Sequence, residues 1–167
     1  MDLQNTFAEN VRSSAPCLPA GRVETLENYD FDLATFYSKN RLGFRKAIPV
    51  NNHYKLAGSG YVSTSADIAK FGQAYLNSEV LDKTVLSKFL TSENINGNPT
   101  YYGLGWQVSE DKKGRAFFGH VGNGVGGYSN LFIYPKEQMV FSILINCTKP
   151  QIQDILDNSI DLIISNS

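Results

Sequence analysis

The chain has 167 residues and a formal net charge of −1, with 42% hydrophobic, 12% aromatic and 19% charged residues. This composition is that of a globular domain or part of one, and a sequence pI near 6.1 gives no basic surface for nucleic acid. No apolar run approaches the length that crosses a bilayer, and the first residues lack the features of a secretory signal. We therefore expect neither a nucleic-acid partner nor a membrane segment.

The two cysteines, Cys17 and Cys147, are far apart and have no Cys-x-x-Cys spacing. Together with the two histidines, His53 and His120, they form no recognisable zinc pattern. We expect no metal and no other cofactor. Cys147 ends an apolar run and is predicted to be a buried thiol, and a Cys17–Cys147 disulfide stays open as the alternative.

Residues 1–56 are predicted to form an irregular N-terminal segment, because they are poorly periodic and contain three prolines. A helix is expected over 63–77, where Thr64 can accept a hydrogen bond from the N–H of Asp67 in a capping box. A shorter helix is expected over 82–92, with Asp82 as its N-cap. Its predicted core-facing residues are Val85, Leu86, Phe89 and Leu90.

The hydrophobic period then changes to that of β-strands. Turn residues separate four β-rich runs and predict an antiparallel meander. The four runs are 101–108, 116–122, 128–135 and 139–147. The nearly continuous apolar stretch 139–145 predicts a strand that is buried on both faces.

A closing helix follows the last strand, with Thr148 and Gln151 as candidate caps. Its predicted apolar stripe consists of Ile152, Ile155, Leu156, Ile160, Ile163 and Ile164. Strands followed by a helix in this pattern predict an α+β fold, in which an antiparallel β-meander is flanked by helices.

Four stretches resemble, in order, the signatures of a known family. They are AGSGYVSTSADIAKF (57–71), YGLGW (102–106), GHVGNGVGGYSN (119–130) and LFIYPKEQMVFSILIN (131–146). This succession resembles the C-terminal half of serine β-lactamase-like proteins, in the branch with class C β-lactamases, D-alanyl-D-alanine carboxypeptidases and related esterases. The resemblance implies part of the β-lactamase/transpeptidase-like fold. It divides the chain into the irregular segment 1–56 and a β-lactamase-like C-terminal region, 57–167, of one incomplete domain.

Members of that family carry a Ser-x-x-Lys nucleophile motif, a Tyr-x-Asn motif and a Lys-Thr-Gly or His-Ser/Thr-Gly motif. His120-Val121-Gly122 aligns with the third motif, which implies that His120 lines the pocket and donates to a leaving group or a substrate anion. Gly122 would let the substrate approach the backbone, and the N–H of Asn123 matches one oxyanion-hole donor. Val121 departs from the family hydroxyl that holds a substrate carboxylate.

Four positions, of which Val121 is one, are candidates for the wall or the rim of the pocket. Tyr102 and Trp106, together with Val121, are candidate residues of the pocket wall. The two aromatic residues are expected to belong to the core and the pocket wall, with a binding platform as the alternative. His53 is predicted to be a loop histidine near the pocket rim.

Two literal motifs are predicted not to be catalytic. The chemistry needs a serine at the start of a buried helix and a desolvated lysine one turn later. Ser109 instead precedes a charged hairpin turn, in which Lys112 is expected to be hydrated and protonated. The Tyr-x-Asn at Tyr128–Asn130 follows the His-x-Gly motif, although the family order places it before.

The leading interpretation is the C-terminal part of a serine hydrolase that acts on β-lactams, D-alanyl peptides or small esters through an acyl-enzyme. The nucleophile motif and the first two strands of the family sheet are expected to be absent, so the chain alone is expected to be inactive. The alternatives are a non-catalytic domain that binds peptide or glycan, and a structural fragment.

The expected partners are a small-molecule or peptide substrate, and either the N-terminal half of the family domain or a second copy of the chain. Association is predicted near 139–147, where an unpaired strand edge would lie exposed, or by exchange of 1–57. The resembled family is often periplasmic, but the sequence assigns no location to this chain.

Overall fold

A computed structural model describes residues 22–23, 33–52 and 58–167. Its strands are β1 (Arg22–Val23), β2 (Tyr37–Asn40), β3 (Gly43–Lys46), β4 (Tyr61–Val62), β5 (Asn94–Ile95), β6 (Asn98–Pro99), β7 (Gln107–Glu110), β8 (Ala116–Gly124), β9 (Gly127–Tyr134) and β10 (Met139–Ile145). Its helices are α1 (Ser65–Leu76), α2 (Lys83–Phe89) and α3 (Gln153–Ser165). No helix in this part of the chain is long and apolar enough to span a bilayer.

The centre of the fold is a four-stranded antiparallel sheet in the order β10-β9-β8-β7. The predicted meander is confirmed, but its first run is shorter than expected. Only Gln107–Glu110 joins the sheet, because Tyr101 and Gly105 have φ angles of +57° and +80° that a strand does not accommodate. The chain before β7 therefore bends away from the sheet.

Each face of the sheet packs against a helix, which confirms the predicted α+β class. On one face, α1 covers a core of Trp106, Phe118, Leu131 and Ile133. On the other face, α3 covers a core of Phe132, Tyr134 and Ile160. Below, these are called the α1 face and the α3 face. The alternation of side chains along β8 places even-numbered residues on the α1 face and odd-numbered residues on the α3 face.

Close packing of α1 depends on Gly72, which lies inside the helix although glycine is a poor helix former. A Cβ atom at this position would lie 2.6 Å from Cγ1 of Val140 and 3.2 Å from Cδ1 of Leu131. The missing side chain therefore lets the helix backbone approach β9 and β10.

The predicted start of α1 is correct in its main feature, since Thr64 Oγ1 accepts from the Asp67 N–H at 3.1 Å. The Asp67 carboxylate lies 3.3 Å from Lys70 Nζ. Asp82 does occupy the N-cap position of α2, although its side chain makes no capping hydrogen bond. Val85, predicted to face the core, is exposed, and Leu86 is the buried residue of this helix.

The predicted capping of the closing helix is wrong. The helix begins at Gln153, and its N-cap residue Ile152 makes no side-chain bond. The hydroxyl of Thr148 instead accepts from the Gly126 N–H. The core-facing stripe is also narrower than predicted, because Ile155 and Ile163 are 66% and 50% exposed.

Part of the segment predicted to be irregular forms a hairpin, β2–β3, beside the end of β10. The Tyr37 N–H donates to the Asn146 carbonyl, and the Thr148 N–H donates to the Tyr37 carbonyl, both at 3.0 Å. Cys147 between them is a half-buried free thiol. Cys17 and His53, which the sequence also singled out, lie outside the described residues.

Candidate active site at the open edge of strand β8

The candidate site is built on the β8–β9 hairpin. A two-residue connection, Val125–Gly126, joins the strands, and Gly124 lies opposite Gly127. Gly126 has a φ of +84°, and a Cβ there would lie 2.5 Å from Cβ of Phe36. Glycine at 126 thus serves both the turn conformation and the contact with Phe36.

The end of β8 is paired on one side only within the described residues. β7 pairs with Ala116–Gly119, whereas β9 pairs with β8 as far as Gly124. A two-residue connection makes Gly124 and Gly127 a hydrogen-bonded pair, and such pairs alternate along an antiparallel ladder. The N–H groups of Val121 and Asn123 therefore point away from β9, toward the open edge.

His120 lies where this open edge begins. Its side chain is on the α1 face and is exposed to solvent. Its Nε2 is 2.5 Å from the hydroxyl oxygen of Tyr102, and the two rings meet edge to face. A phenol can donate or accept a hydrogen bond, and so can a neutral imidazole nitrogen according to its tautomer. Either residue can therefore be the donor in the Tyr102–His120 hydrogen bond.

Tyr102 is held in place by backbone hydrogen bonds from the preceding loop. Its carbonyl accepts from the Glu93 N–H at 2.9 Å, and its N–H donates to Thr100 Oγ1 at 3.3 Å. The sequence placed Tyr102 in the pocket wall, and the structure places it against His120. No local sequence pattern predicts the contact between Tyr102 and His120, because 17 residues lie between them.

Asn123 presents its backbone and its side chain to different partners. Its N–H points to the open edge, while its Oδ1 accepts from the Lys149 N–H at 2.9 Å on the α3 face. The side chain therefore fixes the backbone donor. Val121 also lies on the α3 face, where it packs against the core of Phe132, Tyr134 and Ile160.

Gly122 lies on the α1 face, opposite Ser129 of β9. A Cβ at Gly122 would lie 2.5 Å from the Ser129 hydroxyl oxygen. The space above Gly122 is thus occupied by a hydroxyl from the neighbouring strand. Sequence reasoning did not single out this hydroxyl, although counting the register back from the two-residue turn would have placed Ser129 there.

Trp106 is 8% exposed and packs edge to face against Tyr75 and Phe118. Its ring lies in the core beneath α1. Tyr101, its neighbour in the same loop, is 60% exposed.

The literal Ser-x-x-Lys has the surroundings that the sequence predicted. Lys112 Nζ lies 3.0 Å from an oxygen of Asp157 and 3.4 Å from one of Asp154. The hydrogen bonds that Lys112 donates to Asp157 and then to Asp154 raise its pKa, so this amine stays protonated. A protonated amine does not serve as the base that activates a serine.

The literal Tyr-x-Asn lies on the face opposite His120. Tyr128 and Asn130 pair with Asn123 and Val121, so their side chains lie on the α3 face. Asn130 is buried, at 2% exposure. These two side chains do not approach His120 across the sheet.

The family model named Beta-lactamase matches residues 12–163. The chain belongs to the β-lactamase family. Among its relatives, the mitochondrial serine β-lactamase-like protein LACTB of Mus musculus is 29% identical over 134 residues, covering 64% of this chain and 24% of that protein. LACTB of Homo sapiens has the same identity and coverage. The chain thus spans about a quarter of the length of these relatives.

Solved structures show the same β-lactamase-family fold. A penicillin-binding protein from Bacillus halodurans superposes with a TM-score of 0.74 at 19% identity, covering 97% of this chain and 50% of that one. An octameric penicillin-binding protein homologue from Pyrococcus abyssi gives 0.76 at 19% identity, with 99% and 38% covered. A D-stereospecific amidohydrolase from Streptomyces gives 0.64 at 20% identity, with 89% and 45% covered.

In this β-lactamase-family chain, ion pairs attach the charged turn at 111–115 to α3. Arg115 Nε lies 2.7 Å from Asp111, and its Nη2 lies 3.1 Å from Asp161. Burial raises the pKa of Asp111, but hydrogen bonds from Arg115 and from the Lys113 N–H outweigh it, and the net pKa is lowered. These ion pairs give the charged residues of the turn a structural role.

We expect Asp111→Asn to lower the free energy of unfolding by about 1–2 kcal/mol at pH 7, because the charge-assisted bonds to Arg115 are lost. A carboxyl with a depressed folded-state pKa stabilises the fold above its unfolded-state pKa of about 4. That contribution is lost as the pH falls through the folded-state pKa. Urea denaturation should therefore show the full difference at pH 7 and a smaller difference at about pH 3, below the unfolded-state pKa.

Asp154→Asn is the matched control, because this carboxylate is 92% exposed in its contact with Lys112. We expect it to change stability by less than about 0.5 kcal/mol. Equal destabilisation by Asp111→Asn at both pH values would contradict the charge-based account.

Proposed function

We propose that this chain forms one wall of the acyl-transfer site of a serine hydrolase. In this proposal His120 donates a proton to the leaving group, and the N–H of Asn123 is one oxyanion-hole donor. The observation that carries the proposal is the open edge of β8, where an exposed imidazole and two outward N–H groups lie within four residues.

The substrates we propose are β-lactams, D-alanyl peptides or small esters. Support comes from the fold, which is that of a penicillin-binding protein and a D-stereospecific amidohydrolase, and from the His-x-Gly alignment of His120 and Gly122. A serine oxygen would attack the substrate carbonyl carbon while a base takes its proton. The tetrahedral oxyanion would form beside the Asn123 N–H, and its collapse would expel the leaving group with a proton from His120. Water would then hydrolyse the acyl-enzyme.

The serine in this scheme is supplied by a polypeptide segment outside the described residues. The literal Ser-x-x-Lys cannot provide it, because Lys112 in the turn after β7 is held protonated by its ion pair with Asp157 of α3. His120 lies at the open edge, so a nucleophile from a second segment can approach the substrate from the side opposite β8.

A second candidate function is peptide binding without hydrolysis. The outward N–H groups of Val121 and Asn123 form an open strand edge, which is a surface that an extended peptide can join as an added strand. This candidate needs no nucleophile.

We expect the chain to bind N-acetyl-D-alanyl-D-alanine at the open edge of β8. In a titration followed by amide NMR, the signals of Val121 and Asn123 should shift most. His120→Ala should weaken binding by about five- to tenfold, because one hydrogen bond to the ligand is lost, and the melting temperature should stay unchanged because the side chain is exposed. A large fall in melting temperature with unchanged affinity would contradict the proposed role.

We expect the 167-residue chain alone to hydrolyse neither a chromogenic cephalosporin nor p-nitrophenyl acetate above the buffer rate. Binding donors without a nucleophile leave only weak general effects. Ser109→Ala should behave as the wild type. Turnover that this substitution abolishes would show that Ser109 is the nucleophile.

We also propose that β10 carries an association surface. Its even-numbered residues direct their backbone groups away from β9, and within the described ranges Val140, Ser142 and Leu144 have no strand partner there. Val140 and Ser142 are half-buried and Leu144 is exposed, and these largely apolar side chains and the open edge form a surface that another strand can join. Exchange of the segment 1–57 would be a second route to the same assembly.

We expect light scattering at micromolar concentration to show a dimer or a larger assembly. Leu144→Lys should shift it toward the monomer, because a charge beside an open strand opposes pairing. Leu162→Lys on α3 is the control, since this leucine is 65% exposed and lies away from the strand edge. A monomeric wild-type chain would contradict the proposed association.

A further inference from the structure

A hydroxyl from β9 lies in the candidate site at a position that no side chain of β8 fills. Ser129 is opposite Gly122, and its Oγ lies 2.5 Å from the place that a Gly122 Cβ would take. The hydroxyl therefore reaches across the ladder and stands in for the side chain of residue 122.

The register places this hydroxyl on the same face as the imidazole of His120. Residues 120 and 122 are two apart on one strand, so their side-chain positions are about 7 Å apart. A ligand group of a few atoms can contact both. The side chain of Ser129 is half-buried, which limits its motion and leaves it accessible.

The surroundings favour an anionic ligand group. His120, Gly122 and Ser129 are joined on the α1 face by Leu144, which lies opposite Ser129 on the other side and is 37% exposed. These four residues contribute an imidazole, a hydroxyl and an aliphatic side chain, and they contribute no carboxylate. Two hydrogen-bond donors beside an aliphatic surface fit the carboxylate of a short aliphatic ligand.

We infer that Ser129 binds the substrate carboxylate together with His120. This inference rests on the proposed function. The Ser129 hydroxyl would replace the hydroxyl that the family motif has at position 121, where this chain has Val121. Val121 also lies on the α3 face, where it packs in the core, so its side chain is not available to the ligand on the α1 face. Ser129 is thereby a residue that determines specificity for anionic substrates.

The test compares N-acetyl-D-alanyl-D-alanine with its C-terminal amide, using the 167-residue chain and isothermal titration calorimetry. We expect the wild type to bind the carboxylate more tightly than the amide. Ser129→Ala should weaken carboxylate binding about tenfold, since a hydrogen bond to a charged group is lost, and should leave amide binding nearly unchanged. Ser129→Thr, which keeps the hydroxyl, should retain most of the preference.

Ser142→Ala is the matched control. This serine lies on the same face of β10, but its hydroxyl oxygen is buried without a hydrogen-bond partner among the described residues, so its removal should leave the preference intact. If Ser129→Ala keeps the full preference for the carboxylate, the assignment of Ser129 is overturned while the proposed function stands. If the wild type binds neither ligand, both are overturned.

Discussion

The register of β8 against β9 determines the candidate site, and the two-residue turn at Val125–Gly126 sets that register. A slip of one residue would move every side chain of β8 to the other face of the sheet. His120 would then leave the α1 face, and Gly122 would no longer meet Ser129. The tip of the hairpin is accordingly fixed from two directions: Phe36 contacts Gly126, and Thr148 accepts from the Gly126 N–H.

β7 begins only at Gln107, opposite Gly119, and this late start leaves the last residues of β8 without a strand partner on that side among the described residues. A β7 that extended beside Val121 and Asn123 would pair with their outward backbone groups and cover the edge. Instead the chain bends at Gly105 and brings Tyr102 to the imidazole. The same bend thus leaves the edge of β8 open and places Tyr102 beside His120, the residue at which that edge begins.

Much of the fold could be predicted because its elements repeat one period over many residues. The alternation along β8 and β9 and the helical spacing after Thr64 specify local structure, and burial of their apolar faces then specifies the layers. The caps were harder to predict. Thr148 has the side chain of an N-cap, yet its hydroxyl bonds to Gly126, 22 residues away, and short-range patterns do not report such a contact.

The candidate site was predictable where it follows a motif and not where it depends on pairing. The resemblance singled out His120, Gly122 and Asn123 from letters that are close in sequence. It could not show that Val121 faces the α3 core, or that Asn123 holds Lys149 with its side chain while its N–H faces outward. Ser129, whose binding role we infer, lies on a neighbouring strand, so its position beside Gly122 depends on a register that tertiary contacts help to fix.

The site also shows a division between binding and bond-breaking groups. Hydrogen-bond donors lie along β8 because an antiparallel edge presents N–H groups at fixed intervals without any side-chain ordering cost. A nucleophile needs the opposite environment, a desolvated base beside a hydroxyl. The charged residues between β7 and α3 cannot provide it, because Lys112 and Arg115 are paired with carboxylates at the surface. In the proposed function, a substrate at the β8 edge is therefore oriented by this chain and attacked from its other side by a nucleophile on a separate segment of polypeptide.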